Sequence, residues 1–241
     1  MLKFCLSIDC ERFISFKQGN PEWSKFQKIK GRINNLIKNL RYNKNGFELV
    51  FNEIEKQGFK SNFMIVGRLF KPKDSKFIEW GYHSLDHLPL TLLSNEKIEE
   101  QVKNIYDLVS FTPPMWRVED LKNPDPGRIF RLLKKEGYKY IVYMGINQGI
   151  KSFYNKKITK PIKKYGLKCI YVSNYLEGNF SKRQIKNIKK EILRNLDKDT
   201  VYLLSTHDFT HRNIKKLREI INFVKRLEKD KKIKIINLKD A

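Results

Sequence analysis

Cysteine is scarce: Cys5, Cys10 and Cys169 are the only three in 241 residues. With an odd number and no CxxC pair, a disulfide scaffold is excluded and reduced thiols in a cytosolic protein are expected. No run of about 18 apolar residues occurs, so nothing in the sequence is long enough to span a bilayer as a helix. The stretch Met1-Leu2-Lys3-Phe4-Cys5-Leu6-Ser7-Ile8 is too short for a signal-peptide core and meets a carboxylate at Asp9; it reads as a strand, and a cytoplasmic location is expected. No Pro/Gly/Ser-rich linker interrupts the chain, so residues 1–241 are expected to form one domain. Acidic residues are also in short supply, 26 against 50 Lys and Arg, leaving a net charge of +24. Such a balance suits an anionic neighbour, whether nucleic acid, an anionic membrane surface or a phosphate-bearing substrate. The lysines are nevertheless spread along the whole chain, which is also what a plain solvated surface looks like.

What is present is a globular pattern, 40% hydrophobic with 12% aromatic residues, enough to argue against disorder. Strand-like runs at Lys3–Ile8, Ser61–Val66, Phe77–Tyr82, Tyr138–Tyr143, Cys169–Val172, Val201–Ser205 and Ile233–Leu238, with a short one ending near Trp116-Arg117, alternate with helical patterns. The helices are expected over Phe47–Gln57, over Asn95–Leu108 behind Ser94 as N-cap, and from the Asp125-Pro126 start to Glu136-Gly137. Two more are expected from Ser181 to Leu196 and over Ile214–Leu227. A further basic amphipathic helix is expected from Phe26 to Arg41. Regular alternation implies a parallel α/β architecture, and roughly seven or eight strand–helix units suggest a TIM-like barrel.

All four histidines fall in two clusters, His83-Ser84-Leu85-Asp86-His87 and His207-Asp208-Phe209-Thr210-His211. Within each, the i,i+4 spacing on a helical turn places both imidazoles on one face at roughly 6 Å, close enough to share one metal ion. Asp9-Cys10-Glu11 adds a carboxylate pair at the end of an apolar run, and on strand alternation Cys10 points away from the site. Oxygen and nitrogen donors for a borderline-hard ion, with spare acid and base groups, describe a hydrolytic site. Each of these residues lies at or just past a strand's C-terminal end, where such barrels carry their chemistry. His211 is expected in the first turn of a helix, packed or facing solvent.

Taken in order, Ser7-Ile8-Asp9-Cys10-Glu11, Ser61-Asn62-Phe63-Met64-Ile65-Val66-Gly67, the His83–His87 cluster, Trp116-Arg117, Gly137-Tyr138-Lys139-Tyr140 and Leu203-Leu204-Ser205-Thr206-His207 resemble the metal-dependent polysaccharide deacetylases. That family is also called the NodB-homology or carbohydrate esterase family 4 type. The resemblance covers nearly the whole chain and implies a single distorted (β/α)7–8 barrel. It implies Glu11, His83 and His87 as ligands of Zn2+ or another divalent ion such as Co2+. Asp9 is implied as general base, His207 as general acid, and Arg117 as the residue orienting the base. The Asp-x-Glu form replaces the usual adjacent aspartates. Phe111-Thr112-Pro113-Pro114 lacks the arginine of the family's third motif, so Arg117 is taken for it, and no aspartate supporting His207 is visible in Ile141-Val142-Tyr143. These forms look most like intracellular members, among them deformylases of polyprenyl-phosphate-linked amino sugars. The implied substrate is an N-acylated amino sugar or glycan. A phosphate on it would suit the basic loop Asn147–Lys168, and an anionic membrane is a further expected partner. Two other readings are a barrel that has kept its fold and lost catalysis, and a basic nucleic-acid-binding protein, which lacks any zinc-finger, helix-turn-helix or RRM signature.

Overall fold

Along the first strand, β1 (Leu2–Cys10), nearly every residue is buried, and its two faces belong to two cores. Phe4, Leu6, Ile8 and Cys10 join the larger apolar cluster, between strands and helices, whereas Cys5 belongs to a smaller one inside the sheet. Period-two alternation then aims Ser7 and Asp9 the same way as Cys5. The computed structural model describes residues 1–11, 45–119, 123–144, 158–176, 182–211 and 214–241. The basic helix expected at Phe26–Arg41 lies outside them, as does the first half of the basic loop, residues 147–157.

The remaining strands are β2 (Ser61–Ile65), β3 (Ile78–Tyr82), β4 (Ser110–Phe111), β5 (Tyr140–Tyr143), β6 (Ile162–Lys164), β7 (Leu167–Leu176), β8 (Val201–His207) and β9 (Ile233–Ile235). The order β2-β3-β4-β5-β7-β8-β1, with β1 also pairing β2, closes a barrel of seven parallel strands. The upper half of β1, Ser7 to Cys10, pairs Asn62 to Ile65, and its lower end pairs β9. β6 is antiparallel to β7 and stands off the ring. The inner cluster gathers Cys5, Met64, Val142, Ile170, Val172 and Leu203, and at the N-terminal end of the strands Ile236 and Leu238 join it. Asn62 ties that floor together: its side chain donates to the Leu6 carbonyl at 2.9 Å and accepts from the Leu238 amide at 2.9 Å.

Helices α1 (Gly46–Gln57), α2 (Asn95–Val102), α3 (Arg128–Lys135), α4 (Lys182–Leu193) and α5 (Lys215–Lys229) pack outside the ring. Leu217, Ile220, Ile221, Val224 and Leu227 form the buried stripe of α5. At ~1.5–3 kcal/mol for each large side chain taken out of water, that stripe outweighs any of the helix's surface pairs. Ser94 caps α2, accepting from the Lys97 amide at 3.4 Å. No helix among the described residues is long and apolar enough to cross a membrane.

Some boundaries differ from the sequence reading. The short strand precedes Pro113-Pro114 rather than following it, because the prolines open a 3-10 turn, Pro114–Trp116. The helix expected to reach Leu108 stops at Val102, where the side chain of Asn104 bonds both backbone groups of Leu108 and ends the helical ladder. Asp125 is not an N-cap: α3 starts at Arg128 behind Gly127, and Asp125 pairs instead with Arg131. The last strand ends at Ile235, and Leu238–Asp240 forms a capped 3-10 turn.

Candidate active site

Glu11, His83 and His87 present one donor atom each, all within 4.8 Å of one another. β1 delivers Glu11 one residue past its end, and β3 delivers His83 immediately after Tyr82. The His83 Nδ1–H donates to the Thr112 carbonyl at 2.7 Å, which leaves Nε2 as the nitrogen with a lone pair toward the site. His87 reaches Glu11 Oε2 through Nε2 at 2.8 Å. The two imidazoles, 4.7 Å apart between centroids, are not brought together by a helical turn. Ser84 and His87 hold left-handed φ values of 66° and 59°, so the segment is a tight loop. Its amides are satisfied by Gln101, whose backbone oxygen takes the Leu85 amide and whose Oε1 takes that of Asp86, while Ser84 Oγ takes the His87 amide. Such backbone costs on the order of 1–3 kcal/mol per residue, and those bonds over-determine it. Asp86 lies behind the loop, paired with Arg68 at 2.7 Å.

Asp9, buried beside this triad, has no hydrogen-bond partner among the described residues on either carboxylate oxygen. Burial raises its pKa to about 8, the neighbouring His207 opposing the shift. Burial pushes Glu11 the same way, yet the imidazoles of His87 and His207 outweigh it and hold that carboxyl well below its ordinary range. Burial, then the proximity of His87, lowers His83 to about 3, so it is a neutral imidazole at neutral pH. His207 ends β8 directly across from Asp9 in the ladder, with Nε2 at 2.5 Å from Glu11 Oε1. Asp9, Glu11, His83, His87 and His207 are therefore gathered at one end of the barrel.

Arg117 is not joined to that group. Neither oxygen of Asp9 accepts a hydrogen bond, so the contact expected of Arg117 as the orienting residue is not made. Met115 and Trp116, at φ 54° and 53°, turn the chain so that Trp116 is the residue facing His207, its ring 6.4 Å away and nearly parallel. His211 is no second ligand beside His207: it is buried behind β8, within 3.0 Å of the Thr206 hydroxyl, and burial followed by the charge of His207 lowers it to about 4. Cys10 points away from the site, as alternation requires. Of the basic loop, Lys160 pairs Asp199 and Lys164 pairs Glu119. Asp120 lies outside the described residues.

Three participants were not singled out from the sequence. Asp208, fully buried and raised to about 7 by burial and then by Glu11, accepts the Glu11 amide at 3.4 Å. Thr112 contributes a backbone atom, which no residue-type pattern reveals. Tyr175 sets its hydroxyl on His207 Nδ1.

No family model matches the sequence, and no curated protein does. Solved structures match over nearly the full chain. A protein from Mycobacterium smegmatis assigned to the polysaccharide deacetylases gives a TM-score of 0.63 at 12% identity, over 99% of this chain and 88% of that one. The Puue allantoinase gives 0.59 at 8% identity, with the same two coverages. A family 4 carbohydrate esterase from Streptomyces lividans, in complex with acetate, gives 0.46 at 10% identity, over 97% of this chain and 91% of that one. At these identities the likeness is one of backbone architecture. With seven parallel strands closed into a ring and the helices outside, the chain has the NodB-type (β/α) barrel of the polysaccharide deacetylases.

Proposed function

We propose that this protein is a metal-dependent amidohydrolase that removes an N-acyl group, acetyl or formyl, from an amino sugar. The observation that carries the reading is the convergence of Glu11, His83 and His87 donor atoms beside a buried, unpartnered Asp9 and the imidazole of His207.

The residues fit a divalent ion such as Zn2+ or Co2+. Two imidazoles and one carboxylate are a donor set that borderline ions take, and the Thr112 carbonyl behind His83 is the kind of outer support that fixes a ligand's tautomer. An ion on these three side chains supplies Lewis acidity, lowering the pKa of water and polarising an acyl carbonyl. Asp9, its oxygens uncommitted, would take the proton from the attacking water in its ionised form, which a cation beside it would favour against the upward pull of burial. Glu11 is held in place from its own backbone, where Asp208 accepts its amide. His207 gives a proton to the departing amine from Nε2, without which the tetrahedral adduct expels water and reverts to amide.

The net charge of +24 favours a substrate carrying phosphate, on a nucleotide or a lipid carrier, and contact with an anionic membrane surface. That part of the reading predicts turnover that falls as salt rises. The decisive assay is a panel of N-acetyl and N-formyl amino sugars, free, nucleotide-linked and lipid-linked, followed by amine release. Hydrolysis of at least one member by zinc-loaded protein is expected. No release from any member, or release only from a cyclic ureide included as a control, overturns the sugar assignment.

A further inference from the structure

Among the described residues, Glu11, Tyr175, Phe209 and Trp116 lie around the His207 ring. Nε2 faces Glu11 Oε1 at 2.5 Å, and the Tyr175 hydroxyl sits on Nδ1, 3.4 Å from Nε2. Phe209 lies against one side of the ring, centroids 5.0 Å apart and planes at 24°. Trp116 is also nearly parallel to it, and meets the Tyr175 ring edge-on at 4.8 Å. The imidazole has little freedom to flip.

We infer that Tyr175 is the positioning residue of His207, its hydroxyl holding Nδ1 so that Nε2 is the nitrogen presented to Glu11 and to substrate. The inference rests on the proposed hydrolysis only for its catalytic consequence. A carboxylate such as Glu11 only accepts, so the neutral ring must carry its proton on Nε2, leaving a lone pair on Nδ1. A hydroxyl suits that nitrogen in both states of the ring: it donates to the lone pair of neutral imidazole and accepts from the N–H of imidazolium. A carboxylate in the same place would serve only the forms that carry a proton on Nδ1, and not the resting Nε2–H ring. Tyr175 thus keeps its contact with Nδ1 in every form of the ring: it donates to the lone pair of the resting Nε2–H tautomer, and accepts from Nδ1–H both in imidazolium and in the neutral ring left once Nε2 has given up its proton.

The backbone shows why this side chain arrives there. Ile170 and Val172 of β7 point into the barrel, and strict alternation would next send Asn174 inward. A register irregularity between Val172 and Asn174 adds one residue against β8, and Asn174 Oδ1 takes the Tyr175 amide at 2.9 Å. Parity is thereby switched: Tyr175 packs with the inner cluster and Leu176 with the outer one. Re-aiming a side chain next to a site is a recurrent use of a β-bulge.

The test is Tyr175→Phe, which keeps the ring against Trp116 and removes one oxygen. In metal-free protein labelled with 15N-histidine, at a pH where the ring is neutral and with His207→Asn to assign the resonance, wild type is expected to show the Nε2–H tautomer with a hydrogen-bonded Nδ1. Tyr175→Phe is expected to move the Nδ1 resonance to that of a free acceptor or to mix the tautomers. Turnover is expected to fall at least ~10-fold in kcat with KM and the zinc-induced rise in melting temperature unchanged. An unaltered His207 resonance, or kcat within about twofold of wild type, overturns the inference. So does an Nδ1–H tautomer in the wild-type spectrum, which requires no variant to fold. If wild type releases no amine while the resonance still moves on substitution, the hydrolase reading falls and Tyr175 stands as the group orienting His207.

Discussion

The Nδ1 atom of His83 lies 2.7 Å from the backbone carbonyl oxygen of Thr112, so β4 decides which nitrogen of a β3 histidine is available to an ion. That contact makes metal binding the first property to measure. Zinc at roughly 100 times its Kd adds about 2.7 kcal/mol to stability, which for a chain of this length is a rise of roughly 5–10 °C in Tm. The rise is expected in wild type, reversed by a chelator, and lost in His83→Ala, His87→Ala and Glu11→Ala. An undiminished rise in all three variants would place the ion elsewhere.

Asp9→Asn separates binding from chemistry. The three donor side chains are untouched, so the zinc-induced rise in Tm is expected to persist, while kcat/KM falls at least ~100-fold for want of a base. Because both oxygens of Asp9 are buried without hydrogen bonds, the metal-free variant is expected to melt no lower than wild type. Retention of more than a tenth of the activity removes Asp9 from the mechanism.

Gly46 has a steric reason to be glycine. A methyl group there would sit 2.3 Å from the backbone oxygen of Asp208, the residue that accepts the Glu11 amide. Gly46→Ala is expected to cost about 1–3 kcal/mol, as overpacking does, and to lower zinc affinity, since the displaced turn carries Asp208. A variant with normal melting and normal zinc affinity would show that the turn gives way freely.

Glu53 of α1 takes two hydrogen bonds from Arg218 of α5, at 2.7 and 2.6 Å, and a third from Gln57 at 3.0 Å. The Arg218 bonds, working against burial, lower the pKa of its carboxyl. A lowered carboxyl pKa gives stability that is complete above the unfolded value of about 4.5 and disappears as pH falls through the folded one. With Arg218 40% exposed, solvent screens the pair and trims its contribution. Glu53→Gln is expected to melt below wild type at pH 7, with the gap closing under pH 4; an equal gap at pH 7 and pH 3.5 contradicts the assignment.

The legible parts of the fold are those set by short-range pattern. Alternation in Leu2–Cys10 identifies a strand with Asp9 inward and Cys10 outward, and the period of Phe47 to Gln57 identifies α1. His83 and His87 are recognisable as a pair, but not for the geometric reason the spacing suggests: a left-handed loop, not a helical turn, brings the rings together. Tyr175 is hidden because counting by twos puts it on the wrong side of β7, and only the irregularity at Val172–Asn174 reverses that count. Trp116 is hidden for a similar reason one loop away, where positive φ at Met115 and Trp116 breaks the extended run and the Trp116 ring lies 6.4 Å from His207. Sequence periodicity carries no mark of such local breaks in backbone geometry.

Ile236 and Leu238, packed with Cys5 and Leu203 at the N-terminal end of the strands, make the barrel a well with a sealed base. On the proposed hydrolysis, substrate and amine product would share the rim at the other end, and the amine is expected to inhibit competitively with the acylated compound; non-competitive inhibition in initial-rate measurements would point to a second way in.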